Sequence, residues 1–225
     1  MPLVVVGGHT RNVGKTSVVA GLIAALRDHH WTALKITQYG HGVCSADGEA
    51  CDCATADHSF AVTEERDRSG GSDTSRFLVA GADHAWWVRT QQGHLAEAMP
   101  RIRAIITKAR PANAELANAG PANSTPANGK TGNVIIESNS ILRFLKPDLY
   151  LTVLDPATED FKSSAQEFLD RADAVLLHGD GRTAPPAWKR VSLTPVANRP
   201  MFAIEPPAYV SDEVVEFVRE RLTKP

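Results

Sequence analysis

The stretch that decides the fold lies near the N-terminus and reads Gly8-His9-Thr10-Arg11-Asn12-Val13-Gly14-Lys15-Thr16-Ser17. It follows a short apolar run over residues 3–6, which is typical of a buried strand. Apolar residues at helical spacing come after it and predict a helix. A glycine-bounded turn between a strand and a helix directs backbone N–H groups, and the positive end of the helix dipole, to one point. The stretch therefore predicts a cradle for phosphate groups.

The polar side chains of this stretch fit the same chemistry. Lys15 is expected to bridge the β- and γ-phosphates of a nucleotide, and the hydroxyl of Thr16 is expected to bind Mg²⁺. We expect the nucleotide to contact Gly8, Arg11, Asn12, Val13, Gly14, Lys15, Thr16 and Ser17. The base stays open, so the nucleotide is ATP or GTP.

The composition limits the class of protein. A chain of 225 residues suits a single α/β domain over 1–225. Its 24 basic and 26 acidic residues are balanced, so nucleic acid is not expected as a partner. No apolar run approaches the length of a membrane span, and the N-terminus lacks a signal-peptide pattern. We therefore expect a cytoplasmic protein that does not act at a membrane, with a homodimer as a candidate assembly.

Apolar runs alternate with helical patterns along the chain. Strands are predicted over 3–7, 32–37, 85–90, 133–137, 149–154, 174–178 and 202–204, and helices over 14–29, 92–109, 159–170 and 211–222. This alternation predicts a three-layer α/β fold, with a mostly parallel sheet and helices on both faces. Ligands of such folds bind beyond the carboxyl ends of the strands.

Two segments interrupt the pattern. Residues 39–75 are rich in Gly, Ser, Asp and Cys and predict a loop region at the active site. Residues 110–132 repeat Pro-Ala-Asn and have almost no large apolar side chain, which predicts a flexible insertion at the surface.

Two charged residues at predicted strand ends are candidates for catalysis. Glu137 follows three apolar residues at the end of a strand, where it is placed to hold Mg²⁺ or to orient an attacking group. Lys35 ends another strand and is a candidate for contact with the γ-phosphate or with an acidic substrate. For both, the alternative is an ordinary solvated side chain.

Four motifs in order over residues 3–140 resemble the dethiobiotin synthetase-like superfamily of P-loop nucleotide triphosphatases. They are the spacing Gly-x₅-Gly-Lys-Thr from Gly8 to Thr16, Lys35 within residues 33–37, and Glu137 within residues 134–140. The fourth, Ser72-Asp73-Thr74-Ser75-Arg76 with residues 80–82, is similar to a segment of the molybdopterin-guanine dinucleotide biosynthesis adaptor family.

The resemblance implies a P-loop fold and a Mg²⁺-dependent hydrolysis or transfer of the γ-phosphate in cofactor biosynthesis. It also implies that Asp73 is a second acidic Mg²⁺ ligand and that Arg76 is a cation for the substrate. A turn or helix-cap role is the alternative for Asp73. The acceptor would be an anionic small molecule or water.

The loop region also contains His41, Cys44, Cys51 and Cys53. Thiolates and imidazole at this spacing suit Zn²⁺ or an iron–sulfur cluster, and free thiols are the alternative. With such a metal or cluster, the chain would be a nucleotide-gated adaptor that switches a partner protein rather than an enzyme with a small acceptor.

Overall fold

The structure, a computed structural model, describes residues 2–39, 59–109, 132–179, 187–189 and 191–223. Its strands are β1 (Leu3–Gly8), β2 (Trp31–Tyr39), β3 (Phe60–Glu64), β4 (His84–Gln91), β5 (Asn133–Glu137), β6 (Leu149–Leu154), β7 (Ala174–His178) and β8 (Met201–Ile204). Its helices are α1 (Lys15–Ala25), α2 (Asp73–Ala80), α3 (Leu95–Ala109), α4 (Ser163–Glu167) and α5 (Asp212–Thr223).

In the described part of the chain, all the strands form one sheet in the order β3-β4-β2-β5-β1-β6-β7-β8. Every neighbouring pair is parallel except that the edge strand β3 runs antiparallel to β4. The strand β1 lies inside the sheet between β5 and β6, so the loop that follows it emerges at the middle of the carboxyl edge. This is the edge at which α/β proteins bind ligands.

Apolar side chains cover both faces of the sheet. One core packs α1, α2 and α5 against the sheet, with Val18, Phe77 and Val214 among its buried members. The other packs α3 against the opposite face, with Ile102 buried in its centre. Because alternate residues of buried strands face opposite cores, the strand sequences are apolar nearly throughout. The predicted α/β fold with helices on both faces of a mostly parallel sheet is confirmed.

All seven predicted strands are present, but two elements inside the predicted loop region 39–75 correct that prediction. The strand β3 spans only five residues, and its apolar members Phe60 and Val62 are only partly buried, so it carries a weak alternation signal. The helix α2 starts at Asp73, where the Ser72 hydroxyl accepts a hydrogen bond from the Ser75 amide at 3.0 Å. That capping pattern is a recognisable start signal in the sequence.

The predicted helix over 159–170 is wrong at both ends, because α4 spans only Ser163–Glu167 and a 3-10 helix follows over Leu169–Arg171. Thr158 and Asp160, which resemble a helix start, form other hydrogen bonds. The Thr158 hydroxyl donates to the Asp155 carboxylate at 2.8 Å, and the Asp160 carboxylate accepts from the Thr10 hydroxyl. These bonds to the preceding turn and to the loop after β1 hold residues 155–162 in a non-helical conformation.

Residues 110–131 of the predicted insertion, and residues 40–58 of the predicted loop region, lie outside the described residues. Within the residues that the structure does describe, none of the helices has the length and apolar character needed to cross a membrane.

Candidate functional site

The loop between β1 and α1, residues 8–14, has a backbone path that depends on glycine. Gly14 caps α1 in the left-handed conformation, with φ of 91°, and a Cβ at this position would lie 2.3 Å from the ring of Tyr209. Asn12 is also left-handed, with φ of 55°. Since left-handed backbone is costly for most residues, these two positions restrict the sequence of the loop. The result is the strand–loop–helix arrangement of a P-loop.

The predicted nucleotide contacts differ in exposure. Arg11 and Asn12 are exposed, whereas the side chain of Val13 is buried in the core. The carbonyl of Val13 accepts a hydrogen bond from His178 Nε2 at 2.9 Å, and the His178 ring contacts Tyr209 edge-on. The end of β7 and the segment before α5 therefore support the underside of the loop.

Asn139 holds the start of the loop. Its side-chain Oδ1 accepts from the Gly8 amide at 2.9 Å and its Nδ2 donates to the Gly8 carbonyl at 2.8 Å. Gly7 leaves room for this amide, because a Cβ there would lie 2.1 Å from Asn139 Oδ1. The sequence did not identify Asn139 as a site residue, although it stands two positions after Glu137 in a motif that carried the resemblance.

Lys15 lies across the loop. Its Nζ donates to the carbonyl of Thr10 at 2.6 Å. Burial lowers the pKa of Lys15 to about 8, and the neighbouring cations Lys162 and Lys35 add to this while Glu137 opposes it. A lysine whose charge is disfavoured by its surroundings gains most from an anionic ligand, because such a ligand stabilises the ammonium form.

A cluster of oxygen atoms surrounds the ammonium of Lys35. Its Nζ forms an ion pair with Asp73, lies 3.2 and 3.4 Å from the two carboxylate oxygens of Glu137, and lies 3.3 Å from Thr16 Oγ1. Thr16 Oγ1 in turn donates to Glu137 Oε2 at 2.8 Å. Burial opposes the ammonium, but the carboxylates of Glu137 and Asp73 outweigh it and raise the pKa of Lys35. Three residues that were predicted separately thus meet around one cation.

The register of the sheet explains this meeting. Lys35 pairs with Glu137 on β5 and with Trp87 on β4, and Trp87 pairs with Thr63 on β3. We call these four residues the lysine row. Because paired residues of neighbouring strands lie about 5 Å apart on the same face, the row places Trp87 directly beside the Lys35 cluster. The guanidinium of Arg89 stacks on the Trp87 ring at 4.6 Å and donates to the Thr63 hydroxyl at 3.1 Å.

The helix α2 brings Asp73 and Arg76 to the cluster. The carboxylate of Glu65 accepts from the hydroxyls of Ser72 and Thr74, each at 2.8 Å, and so fixes the start of α2. Arg76 lies 3.7 Å from Asp73 and donates to the Ser17 hydroxyl at 3.1 Å. Ser72 caps the helix, so Asp73 is the first residue of α2 and not its cap, and its carboxylate forms the ion pair with Lys35.

Residues 155–162, which we call the strap, cross the loop from the other side. The buried ring of His9 donates from Nδ1 to the Asp160 carbonyl at 2.7 Å and accepts at Nε2 from the Asp155 amide at 3.0 Å. The amide of Lys162 donates to the His9 carbonyl at 2.8 Å. Burial lowers the pKa of His9, and this fits a neutral ring with one donor and one acceptor nitrogen.

The donor set around Lys35 suits Mg²⁺. Thr16, Asp73 and Glu137 present hydroxyl and carboxylate oxygens, which are the ligands that Mg²⁺ prefers. In the structure these oxygens already gather around a cation, the ammonium of Lys35. The residues predicted to bind Mg²⁺ therefore fit the ion by chemistry and by position.

His41, Cys44, Cys51 and Cys53, the predicted ligands of zinc or an iron–sulfur cluster, lie outside the described residues. Elsewhere, across the parts of the chain that the structure covers, His, Cys, Asp and Glu side chains form no group of three or more that could hold a metal ion by themselves.

No protein-family model and no curated protein matches the sequence. One similar solved structure is LpxK from Aquifex aeolicus in complex with ATP, at 16% identity over 90% of this chain with a TM-score of 0.45. Another is HypB from Helicobacter pylori in complex with nickel, at 11% identity over 97% of this chain and 84% of that chain, with a TM-score of 0.41. This chain spans 53% of the LpxK chain. The function of this chain is therefore inferred from its own residues.

Proposed function

We propose that this protein binds ATP or GTP with Mg²⁺ and hydrolyses or transfers the γ-phosphate. The observation that carries the proposal is the convergence of Lys15, Thr16, Lys35 and Glu137 at the carboxyl edge of the sheet, at the mouth of a glycine-dependent loop. Phosphoryl transfer needs charge neutralisation and alignment more than covalent chemistry, and this site supplies fixed cations and metal-binding oxygens.

Each residue has a defined part in the proposed reaction. Amides of the loop and the ammonium of Lys15 would bind the phosphates, and Thr16, Glu137 and Asp73 would hold Mg²⁺, whose charge would neutralise that of the phosphates. The oxygens that would hold Mg²⁺ are the ones that contact the ammonium of Lys35. With these oxygens occupied by the ion, Lys35 would lose its carboxylate partners and would be available to the γ-phosphate or to an acidic acceptor.

The lysine row supports a place for an acceptor. Trp87 pairs with Lys35, and Arg89, two residues further along β4 on the same sheet face, stacks on the Trp87 ring; both side chains are partly exposed. A planar cation stacked on an indole can bind an anionic group through its N–H donors. An anionic small molecule at this position would lie beside the γ-phosphate, which favours phosphotransfer over simple hydrolysis.

The role in cofactor biosynthesis and the adaptor alternative remain part of the proposal. Both rest on sequence features, namely the motifs over residues 3–140 and the Cys-containing segment. Stoichiometric Zn²⁺ or iron in the purified protein, with slow hydrolysis that needs no acceptor, would favour the adaptor. Turnover that depends on one small anion would favour the enzyme.

The direct test replaces Lys15 by Ala and measures binding of ATP and GTP with Mg²⁺ by calorimetry, together with phosphate release. We expect the wild type to bind one of the two nucleotides, and Lys15→Ala to bind it more weakly and to lose turnover. The control is Lys189→Ala, which removes a lysine whose side chain is 84% exposed. Absence of binding by the wild type, or unchanged kinetics of Lys15→Ala, would overturn the proposal.

A further inference from the structure

The strap delivers a lysine that the sequence did not suggest as a site residue. Lys162 is its last residue, and its amide is bonded to the His9 carbonyl within the P-loop. The two preceding residues also contact the loop, Asp160 through hydrogen bonds to His9 and Thr10, and Phe161 through ring packing on His9 at 5.1 Å. The backbone of Lys162 is therefore fixed against the loop, and its side chain starts from a defined place.

The ammonium of Lys162 lacks an ion-pair partner within 4 Å among the residues that the structure describes. It interacts electrostatically with two carboxylates, those of Asp160 and Glu137, and with three cations, those of Arg11, Lys35 and Lys15. Burial lowers the pKa of Lys162, and the neighbouring charge of Arg11 lowers it further. Because the three cations outnumber the two carboxylates and Lys162 is partly buried, an added anion would stabilise its ammonium form.

We propose that Lys162 is a phosphate-binding residue that contacts the terminal phosphate of the nucleoside triphosphate. This inference rests on the proposed function. Lys162 interacts with Glu137 and Lys35, which flank the metal-binding hydroxyl of Thr16. Lys162 also interacts with Lys15, which is expected to bridge the β- and γ-phosphates, so its ammonium lies toward the γ end of the nucleotide.

The position of Lys162 gives it a role distinct from that of Lys15. Lys15 belongs to the loop itself, whereas Lys162 reaches the loop from the segment after β6. A cation outside the loop that contacts only the terminal phosphate distinguishes a triphosphate from a diphosphate. Such a contact is a charge-assisted hydrogen bond, which is among the stronger kinds in proteins.

The test is Lys162→Met, measured by calorimetry with MgATP, MgGTP, MgADP and MgGDP. We expect about a tenfold or larger loss of affinity for the triphosphate, and less than about a threefold change for the diphosphate. Lys162→Arg should restore most of the triphosphate affinity. The variant keeps the backbone N–H that bonds to His9, and denaturant unfolding checks that the fold is intact. Lys189→Met, which removes an exposed lysine paired with Glu159 in the strap, is the matched control.

The outcomes separate the two proposals. If the wild type binds no triphosphate, the proposed function fails. If the wild type binds a triphosphate and Lys162→Met binds it equally well, only the role of Lys162 fails. Equal losses for triphosphate and diphosphate, or a similar loss in Lys189→Met, would overturn the assignment to the terminal phosphate.

Discussion

Replacing Lys35 by Met should show how much the ammonium of Lys35 stabilises the folded protein when no nucleotide is bound. The substitution keeps most of the side-chain volume and removes the charge. It leaves the carboxylate of Glu137, whose side chain is only 6% exposed, without the cation that lies 3.2 Å away. Removing one partner of a buried ion pair costs about 3–5 kcal/mol, since the other charge stays buried and unpaired.

Two features of the cluster place the expected loss near the lower end of that range. Glu137 keeps its hydrogen bond from Thr16 at 2.8 Å, and the Asp73 side chain is 37% exposed, so water can solvate it. We therefore expect Lys35→Met to lower the free energy of unfolding by about 3 kcal/mol at pH 7. Excess Mg²⁺ should recover part of this loss, because it binds the same oxygens in the native state only.

The assay is denaturant unfolding followed by circular dichroism, with EDTA and then with Mg²⁺, in the absence of nucleotide. Lys189→Met is the control, because its ion pair with Glu159 is exposed and should contribute less than about 1 kcal/mol. If Lys35→Met unfolds like the wild type and Mg²⁺ does not stabilise it more than it stabilises the wild type, the cluster is not the buried cation site described here.

Two further predictions concern the P-loop. Burial lowers the pKa of His9 in the native state. As the pH falls below the ordinary value of 6.5, this ring takes up a proton in the unfolded chain before it does so in the native protein. The free energy of unfolding therefore decreases as the pH falls from 6.5 toward the lower native pKa. His9→Gln should flatten this part of a plot of unfolding free energy against pH, and parallel plots would contradict the burial of a neutral ring. Gly14→Ala should destabilise the protein more than the control Gly93→Ala. Both glycines have φ of 91°, but a Cβ at Gly14 would meet the ring of Tyr209, whereas a Cβ at Gly93 would have no atom within 4 Å. Both variants carry the left-handed strain of about 1–2 kcal/mol, and equal losses in thermal or denaturant unfolding would show that Tyr209 simply moves aside.

The strands and the loop after β1 could be predicted from the sequence because their signals are local. The apolar run before Glu137 ends at that residue, and parallel strands bring such ends to one edge of the sheet. The prediction that Lys35 also ends a strand is wrong, because β2 continues to Tyr39, and its place beside Glu137 comes from the register of β2 and β5. The ion pair of Lys35 with Asp73 could not be predicted either, because it depends on how α2 is anchored by Glu65.

The conformation of the strap and the positions of Lys162 and Asn139 could not be predicted from local sequence. Thr158, Glu159 and Asp160 have the composition of a helix start, and local propensity predicts one. Long-range hydrogen bonds from His9 and Thr10 to Asp160 compete with that propensity and prevail. Lys162 and Asn139 owe their positions to such contacts over more than a hundred residues of chain, and no periodicity in the sequence encodes them.

The lysine row has a consequence for the way in which activity would be lost on heating. Lys35 and Glu137 are aligned by hydrogen bonding between interior strands, not by a loop that can melt separately. Partial fraying at the sheet margins would leave their spacing intact, since interior strands open only with the cooperative unit to which they belong. Thermal inactivation should therefore be abrupt and should coincide with global unfolding.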